Sequence, residues 1–498
     1  MSVVSYPRRL ADLAAADPDR PAVTCAAASI SRRELIDRAD GLARRLRREG
    51  VGYSDFVTIA IPNSVDWFVA TAAVWMLGAT PQPVSARLPG PELDALVGLA
   101  DPTVVLGVAA DAFTGRIGIP TADFAGPADA VGVDDEGAPL PDLVSPAWKA
   151  PTSGGSTGRP KLIVSGEPAS LDDEARPTLL VQRDGVMIMP GPLYHNGPIV
   201  WSCQALLQGN HVVVLPRFDA EATLAAIAEH RGDIIYLVPT MMKRIWRLPI
   251  EVRESYDLSS LRVVWHLAEP CPPWLKDAWI DWLGPERIIE LYGGTEAQTA
   301  TIITGRDWLE HRGSVGRPAE GTVKVCDPDG AEVPAGTEGE VWMRSATGEA
   351  TYRYVGAEAR TLEGGWESLG DHGWLDADGF LYLGDRTTDM ILTGGSNVYP
   401  AEIEGVIQEH PGVRSCAVIG LPDDDLGNRV HALIEPEPEP AVDDPLDVAE
   451  LLAFVGERLV RYKVPRTVEL VDEPLRDDAG KVRRGALRAA RLTDSPVG

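Results

Sequence analysis

Cysteine is scarce and scattered. Five thiols (Cys25, Cys203, Cys271, Cys326, Cys416) are spread over 498 residues, odd in number and without C-x-x-C spacing. That pattern argues against a disulfide framework or a zinc site and fits a reducing cytoplasm. Positive charge is also short: 46 Lys and Arg face 74 Asp and Glu, a net charge of −28. A general surface for nucleic acid or anionic membrane is thereby disfavoured, because phosphate selects basic patches. Long apolar runs are missing as well. The most apolar helix-like stretch, DWFVATAAVWMLGAT (66–80), is short of the ~20 residues that a bilayer span needs. The N-terminal MSVVSYPRRLADLAAADPDR carries too much charge for a signal peptide's apolar core. These absences predict a soluble cytoplasmic protein, and no internal repeat stands out.

What is there is alternation. RRELIDRADGLARRLRREG reads as an amphipathic helix closed by Gly50, FVTIAIPN as a buried strand, DWFVATAAVWMLG as a buried helix and PQPV as a short strand. The rhythm returns at VMIMPGPLYH, HVVVLPRF, DAEATLAAIAEHR, DIIYLVPTM, LRVVWHL and RIIELYGGTE. Apolar strands alternating with helices predict an α/β body with covered sheets. Residues 109–150 read as loops and weak strands. Around 313–345 the Asp-Gly and Pro-Ala-Gly turns predict antiparallel hairpins, hence a small antiparallel β subdomain. After about residue 388 a separate α+β pattern follows: helix AEIEGVIQEH, strands SCAVIGLP and VHALIEP, a Pro-rich surface loop at 435–445, helix VAELLAFVGERL and a basic tail. The division expected is a body of 1–388 and a small C-terminal domain of 389–498.

The chemistry concentrates in a few stretches. TSGGSTGRPK (152–161) packs glycines, hydroxyls and Lys161 together, a nest of donors suited to phosphate; Gly158 and Lys161 are separated, so it is not a Walker A loop. ELYGGTE (290–296) presents an aromatic, a hydroxyl and a carboxylate after an apolar strand, able to stack a base, touch a phosphate and hold Mg²⁺. LGDHGWLDADGFLYLGDR offers Asp371 and Arg386 for ribose and phosphate, GGSNVYPAEIE a glycine turn into a helix, and DDAGKVRRGALR isolates Lys481.

Taken in order, these stretches resemble the adenylate-forming superfamily, in particular its fatty-acid- and bile-acid-type CoA ligases, over nearly the whole chain. The resemblance implies that an acid is coupled to ATP with release of pyrophosphate, leaving an acyl-adenylate. Thr152, Ser153, Gly154, Gly155, Ser156, Thr157, Gly158 and Lys161 would grip the β- and γ-phosphates, Tyr292 and Gly293 would lie against adenine, Asp371 would hold the ribose and Arg386 would lie nearby. Thr295 would contact the α-phosphate, Glu296 would hold Mg²⁺, and Lys481 would offset charge on the acid and the α-phosphate. PLYHNGP (192–198) would bring His195 near the acid and the pyrophosphate exit. Gly394 and Gly395 would wall a pantetheine tunnel once the C-terminal domain rotates about a hinge near Thr388. The acid pocket would draw on Asn196, Trp201, His266, Leu267, Ala268 and Glu269.

Three positions depart from the family pattern. Leu162 follows Lys161 where glycine is usual, and Thr388 stands where the hinge is commonly Asp or Lys. In WHLAEPCPPWLKDAWIDWLG (265–284), Glu269 stands where a small residue is expected. A carboxylate there would repel the substrate's own. It either turns to solvent or a basic neighbour, or it binds an amine or polar group on the substrate. The function expected is an acid:CoA ligase for an aryl, alicyclic or fatty acid, with ATP, Mg²⁺ and CoA. The alternative is a diazotase that adenylates nitrite for capture by an aryl amine; a catalytically silent nucleotide-binding regulator is a third class. No carrier-protein motif follows Lys481, which disfavours a multidomain peptide synthetase. A homodimer is left open.

Overall fold

The computed structural model describes residues 3–124, 139–154, 160–172, 178–384, 391–393, 396–423, 425–438, 446–477 and 480–493. Its centre is a run of parallel strands in the order Pro21–Cys25, His211–Val214, Val186–Met189, Ile234–Leu237, Val263–His266, Ile288–Gly293. They read as continuous apolar segments because helices cover both faces, the condition under which a parallel sheet is stable. The Arg32–Arg48 helix starts at a capping box of Ser31 and Glu34, and the Val65–Met76 helix is buried along nearly its whole length. A second parallel sheet orders Thr80–Pro83, Phe56–Ile59, Val104–Leu106 and Ile117–Ile119.

Beyond Ile288–Gly293 the direction reverses. Ala300–Thr304 and Ser314–Glu320 add antiparallel and lead into the hairpins that include Thr322–Cys326 with Gly339–Arg344 and His372–Leu375 with Leu381–Leu383. The expected antiparallel subdomain is therefore an extension of the central sheet. A separate antiparallel sheet joins Thr152–Gly154, Pro160–Ser165 and Tyr352–Val355.

Toward the C-terminus, Val413–Asp423 and Gly427–Pro436 form a hairpin, with Thr467–Leu470 parallel to its second strand. Their apolar residues cluster with Ile403, Ile407, Leu451 and Val455 of two helices, distinct from the main core. Two sequence expectations are corrected here. The basic tail is a helix, Arg484–Thr493, and Leu487 packs beside a cluster containing Ile419, Leu421 and Leu475. Its arginines are engaged, Arg491 with Glu469 of the Thr467–Leu470 strand and Arg484 with the buried Glu404 of the Pro400–Glu409 helix. The segment from 435 begins inside a strand, since Glu435 and Pro436 pair with Ser415 and Val413.

Candidate active site

In open parallel sheets ligands gather beyond the carboxyl ends of the strands, where side chains of successive loops converge. Several predicted residues follow such ends here. Val186–Met189 runs on to His195, which caps the Asn196–Leu207 helix; Val263–His266 runs on to Glu269; Ile288–Gly293 ends in the turn bearing Thr295 and Glu296. Ala268 and Ala297, each beside one of these carboxylates, have φ of 75° and 57°. Left-handed backbone at alanine is strained, and such strain persists where the surroundings impose it.

Lys161 reaches the buried Glu296, with Nζ 3.2 Å from Oε1. Tyr354 completes the group: its hydroxyl donates to Glu296 Oε1 at 2.6 Å, and the Lys161 ammonium lies 3.8 Å from its ring centroid. Burial, then the bond to Glu296, pushes the Tyr354 phenol well up. Thr351 fixes the turn from the other side, its hydroxyl donating to the Glu296 carbonyl at 2.7 Å. Tyr354 and Lys161 meet diagonally across adjacent antiparallel strands, the reach expected of a long cation over an aromatic.

Tyr292 and Asp371, from distant segments, also meet, the phenol donating to the buried carboxylate at 2.7 Å. Gly294 allows this approach. A Cβ there would stand 2.5 Å from Leu369 Cδ1 and 2.7 Å from Glu296 Oε2, so a side chain would push the two segments apart. Thr152 and Thr295 are half-buried, and Ser153 and Gly154 lie on the Thr152–Gly154 strand. Gly155, Ser156, Thr157, Gly158, Arg386, Thr388, Gly394 and Gly395 lie outside the described residues.

Of the residues expected to form the acid pocket, Asn196 accepts from the ammonium of Lys149. Burial lowers this lysine to about 8, against the opposing pull of Glu167 and Glu296. Trp201 and Trp265 belong to the core, 3% and 1% exposed, packed edge-on to one another with Tyr236 against Trp201. His266 is fully buried; burial, then Lys276, holds its imidazole well below the usual range. Leu267 is buried at the strand's end.

Glu269 is turned to a basic neighbour. Its Oε2 accepts from Thr240 Oγ1 at 2.8 Å and lies 3.6 Å from Arg476 Nη1. Burial raises this carboxyl to about 7, opposed chiefly by Arg476. Arg476 belongs to the turn that carries Lys481, whose backbone N–H donates to Asp477 Oδ1 at 2.9 Å. A cavity of about 280 Å³ opens beside these residues, lined by Arg87, Arg217, Arg244, Arg414, Arg476 and Tyr194 among others.

Sequence reasoning missed Lys149, Tyr354, Thr240 and Arg476. Only Tyr354 had a signal, the period-2 aromatics of TYRYV (351–355).

Aromatic, carboxylate and lysine side chains gathered at one sheet end, with the segment that carries Lys481 contacting Glu269 at the end of a neighbouring strand, fit the class of enzymes that activate a substrate with a nucleoside triphosphate. Residues 10–353 match the AMP-binding enzyme family and residues 402–481 the AMP-binding enzyme C-terminal domain; the chain belongs to this family. A feruloyl-CoA synthase from an Amycolatopsis species is 32% identical, over 97% of this chain and 98% of its own. An indoleacetate–CoA ligase from Aromatoleum aromaticum is 29% identical over 95% of each. Among solved structures, an amide bond synthetase from Marinactinospora thermotolerans superposes with a TM-score of 0.77 at 27% identity, covering 98% of this chain and 99% of its own. Among the described residues no helix is long and apolar enough to cross a membrane.

Proposed function

We propose that this chain is an AMP-forming acid:CoA ligase acting on an aryl or similarly bulky acid. The observation that carries the reading is the Lys161–Glu296–Tyr354 group beside the Tyr292–Asp371 pair at one strand end. The acid's carboxylate oxygen attacks the α-phosphorus of ATP, the bond to pyrophosphate breaks, and an acyl-adenylate remains. Lys161 balances phosphate charge, Tyr292 and Asp371 hold the nucleoside, and Lys481 offsets the like charges of acid and α-phosphate, an electrostatic role at the transition state. The single buried carboxylate of Glu296 is a hard oxygen donor that suits Mg²⁺, which is bound mainly through phosphate oxygens and water. A Mg²⁺ ion held by Glu296 would supply neutralisation of the phosphate charge. In the second half-reaction the CoA thiolate attacks the acyl carbonyl and AMP leaves; the arginine-lined cavity supports an anionic co-substrate of this kind.

The division near residue 388 and rotation of the C-terminal part are proposals of the same reading, and the scattered thiols support a cytoplasmic location. Nothing in the relatives favours nitrite, and the residue that suggested an amine, Glu269, is engaged by Arg476. The test is pyrophosphate release with Mg-ATP across a panel of aryl, alicyclic and fatty acids, with and without CoA, and with nitrite plus aryl amines. Sustained release that needs an aryl acid and CoA is expected. Release driven equally by an amine, indifferent to CoA, would replace the ligase with an amine-capturing enzyme.

A further inference from the structure

Glu269 is the one charged residue where the sequence departs from the pattern of its pocket, and the structure pairs it with Arg476 of the segment that carries Lys481. It is 7% exposed, with Arg476 at 13%. Arg476 is held in turn: its Nη1 donates to the Gly480 carbonyl at 2.8 Å, and its Nη2 lies 3.6 Å from Glu404 Oε2, which Arg484 grips at 2.8 Å. The Asp477 N–H donates to the Lys481 carbonyl, the Lys481 N–H returns to Asp477 Oδ1, and Arg476 bridges Val482, so residues 476–477 and 480–482 are tied to one another. Gly480 lies against the same carboxylate. Its φ is 79°, and a Cβ there would stand 1.3 Å from Glu269 Oε1. That oxygen has no hydrogen-bond partner among the described residues. The carboxylate therefore meets both the cation that braces the turn and the glycine that precedes Lys481.

We propose that Glu269 is a positioning residue that seats Arg476 and Gly480, and with them Lys481, on the body for the adenylation half-reaction. The proposal rests on the reading of Lys481 as the adenylation lysine. An ion pair between the body and a part that must later move away suits a reversible seat: breaking it frees the turn without unfolding either side. The same geometry explains the glycine at 480, because no other residue combines this φ with this approach.

The test separates the half-reactions. Acid-dependent exchange of pyrophosphate into ATP reads adenylation, and conversion of preformed acyl-adenylate with CoA reads the second step. Glu269→Ala and Arg476→Ala are each expected to slow exchange about ten-fold or more, as loss of a charged contact implies. Conversion of the preformed adenylate should stay within about two-fold in Glu269→Ala, and in the exchange assay the double variant should lose little beyond either single one, the mark of coupled partners. Gly480→Ala, which attacks the contact from the other side, should slow exchange likewise, and Glu269→Gln should fall between Ala and the parent. Unchanged exchange in both Glu269→Ala and Gly480→Ala, with Lys481→Ala impaired, would overturn the proposal and leave the lysine reading intact. A raised KM for the acid at unchanged kcat in Glu269→Ala would also overturn it, returning Glu269 to the acid pocket. If Lys481→Ala itself left exchange unchanged, the reading beneath the proposal would fall with it.

Discussion

Lys149 is 5% exposed, and its ammonium faces Asn196. Burial lowers it to about 8, so below that pH it carries charge and above it the charge is lost. Between about 8 and the unfolded value near 10.5 the folded chain binds fewer protons than the unfolded one. A rising pH thus favours folding at this site while discharging it. Pyrophosphate release should therefore fall above about pH 8 without loss of structure, and Lys149→Met should lower the rate and flatten that alkaline limb; a pH–rate profile with circular dichroism checks both. The second prediction at this scale concerns Tyr292. Removing its hydroxyl in Tyr292→Phe takes a bond from the Asp371 carboxylate, and a charged hydrogen bond contributes about 1.5–3 kcal/mol. KM for ATP should rise roughly ten-fold or more, with KM for the acid unchanged in steady-state kinetics. The identities of Tyr292, Asp371, Lys161 and Glu296 were legible because each sits in a local motif. Lys149 was not legible, since a lone lysine in SPAWKAP acquires its environment only from Asn196 and the elements around it.

Elements were the most legible level. Apolar strands and amphipathic helices declare themselves by period, and those of the parallel body stand where the pattern put them. The strand order, and the reversal at Ala300–Thr304 that fuses the hairpins to the parallel sheet, were not legible, because pairing partners lie far apart in the chain. One consequence is a buried ion pair hidden in two ordinary segments. Lys276, in the Pro273–Leu283 helix, bonds Glu290, in the Ile288–Gly293 strand, and both are buried. Removing one member of such a pair costs about 3–5 kcal/mol, because the other charge is left buried, whereas replacing both with apolar residues is often neutral. Lys276→Met should lower the thermal midpoint markedly, and adding Glu290→Leu should recover much of it, as calorimetry would read.

At the scale of the whole molecule, the C-terminal part rests on the Pro239–Trp246 helix and the residue after it. Lys243 Nζ donates to the carbonyls of Val413 and Arg414 at 3.2 and 3.3 Å, and Arg247 Nη1 donates to Val413 at 2.9 Å and also meets Glu437. Arg247→Ala removes charged bonds of about 1.5–3 kcal/mol each, enough to shift a balance between seated and released arrangements by ten-fold or more. The mean radius of gyration in X-ray scattering should rise while the thermal midpoint changes little.

The sequence by itself determined the α/β class, the elements and the inventory of reactive groups, because backbone preference and apolar period are properties of neighbouring residues. Only the tertiary structure decided what those groups touch. It set Lys161 against Glu296 and Tyr354, Tyr292 against Asp371, and Glu269 against Arg476 and Gly480. Each contact joins segments separated by many residues, and its distance depends on which strands lie side by side. Burial, which sets whether a charge is tolerated, paired or discharged, is likewise a property of the packed molecule and not of the local chain.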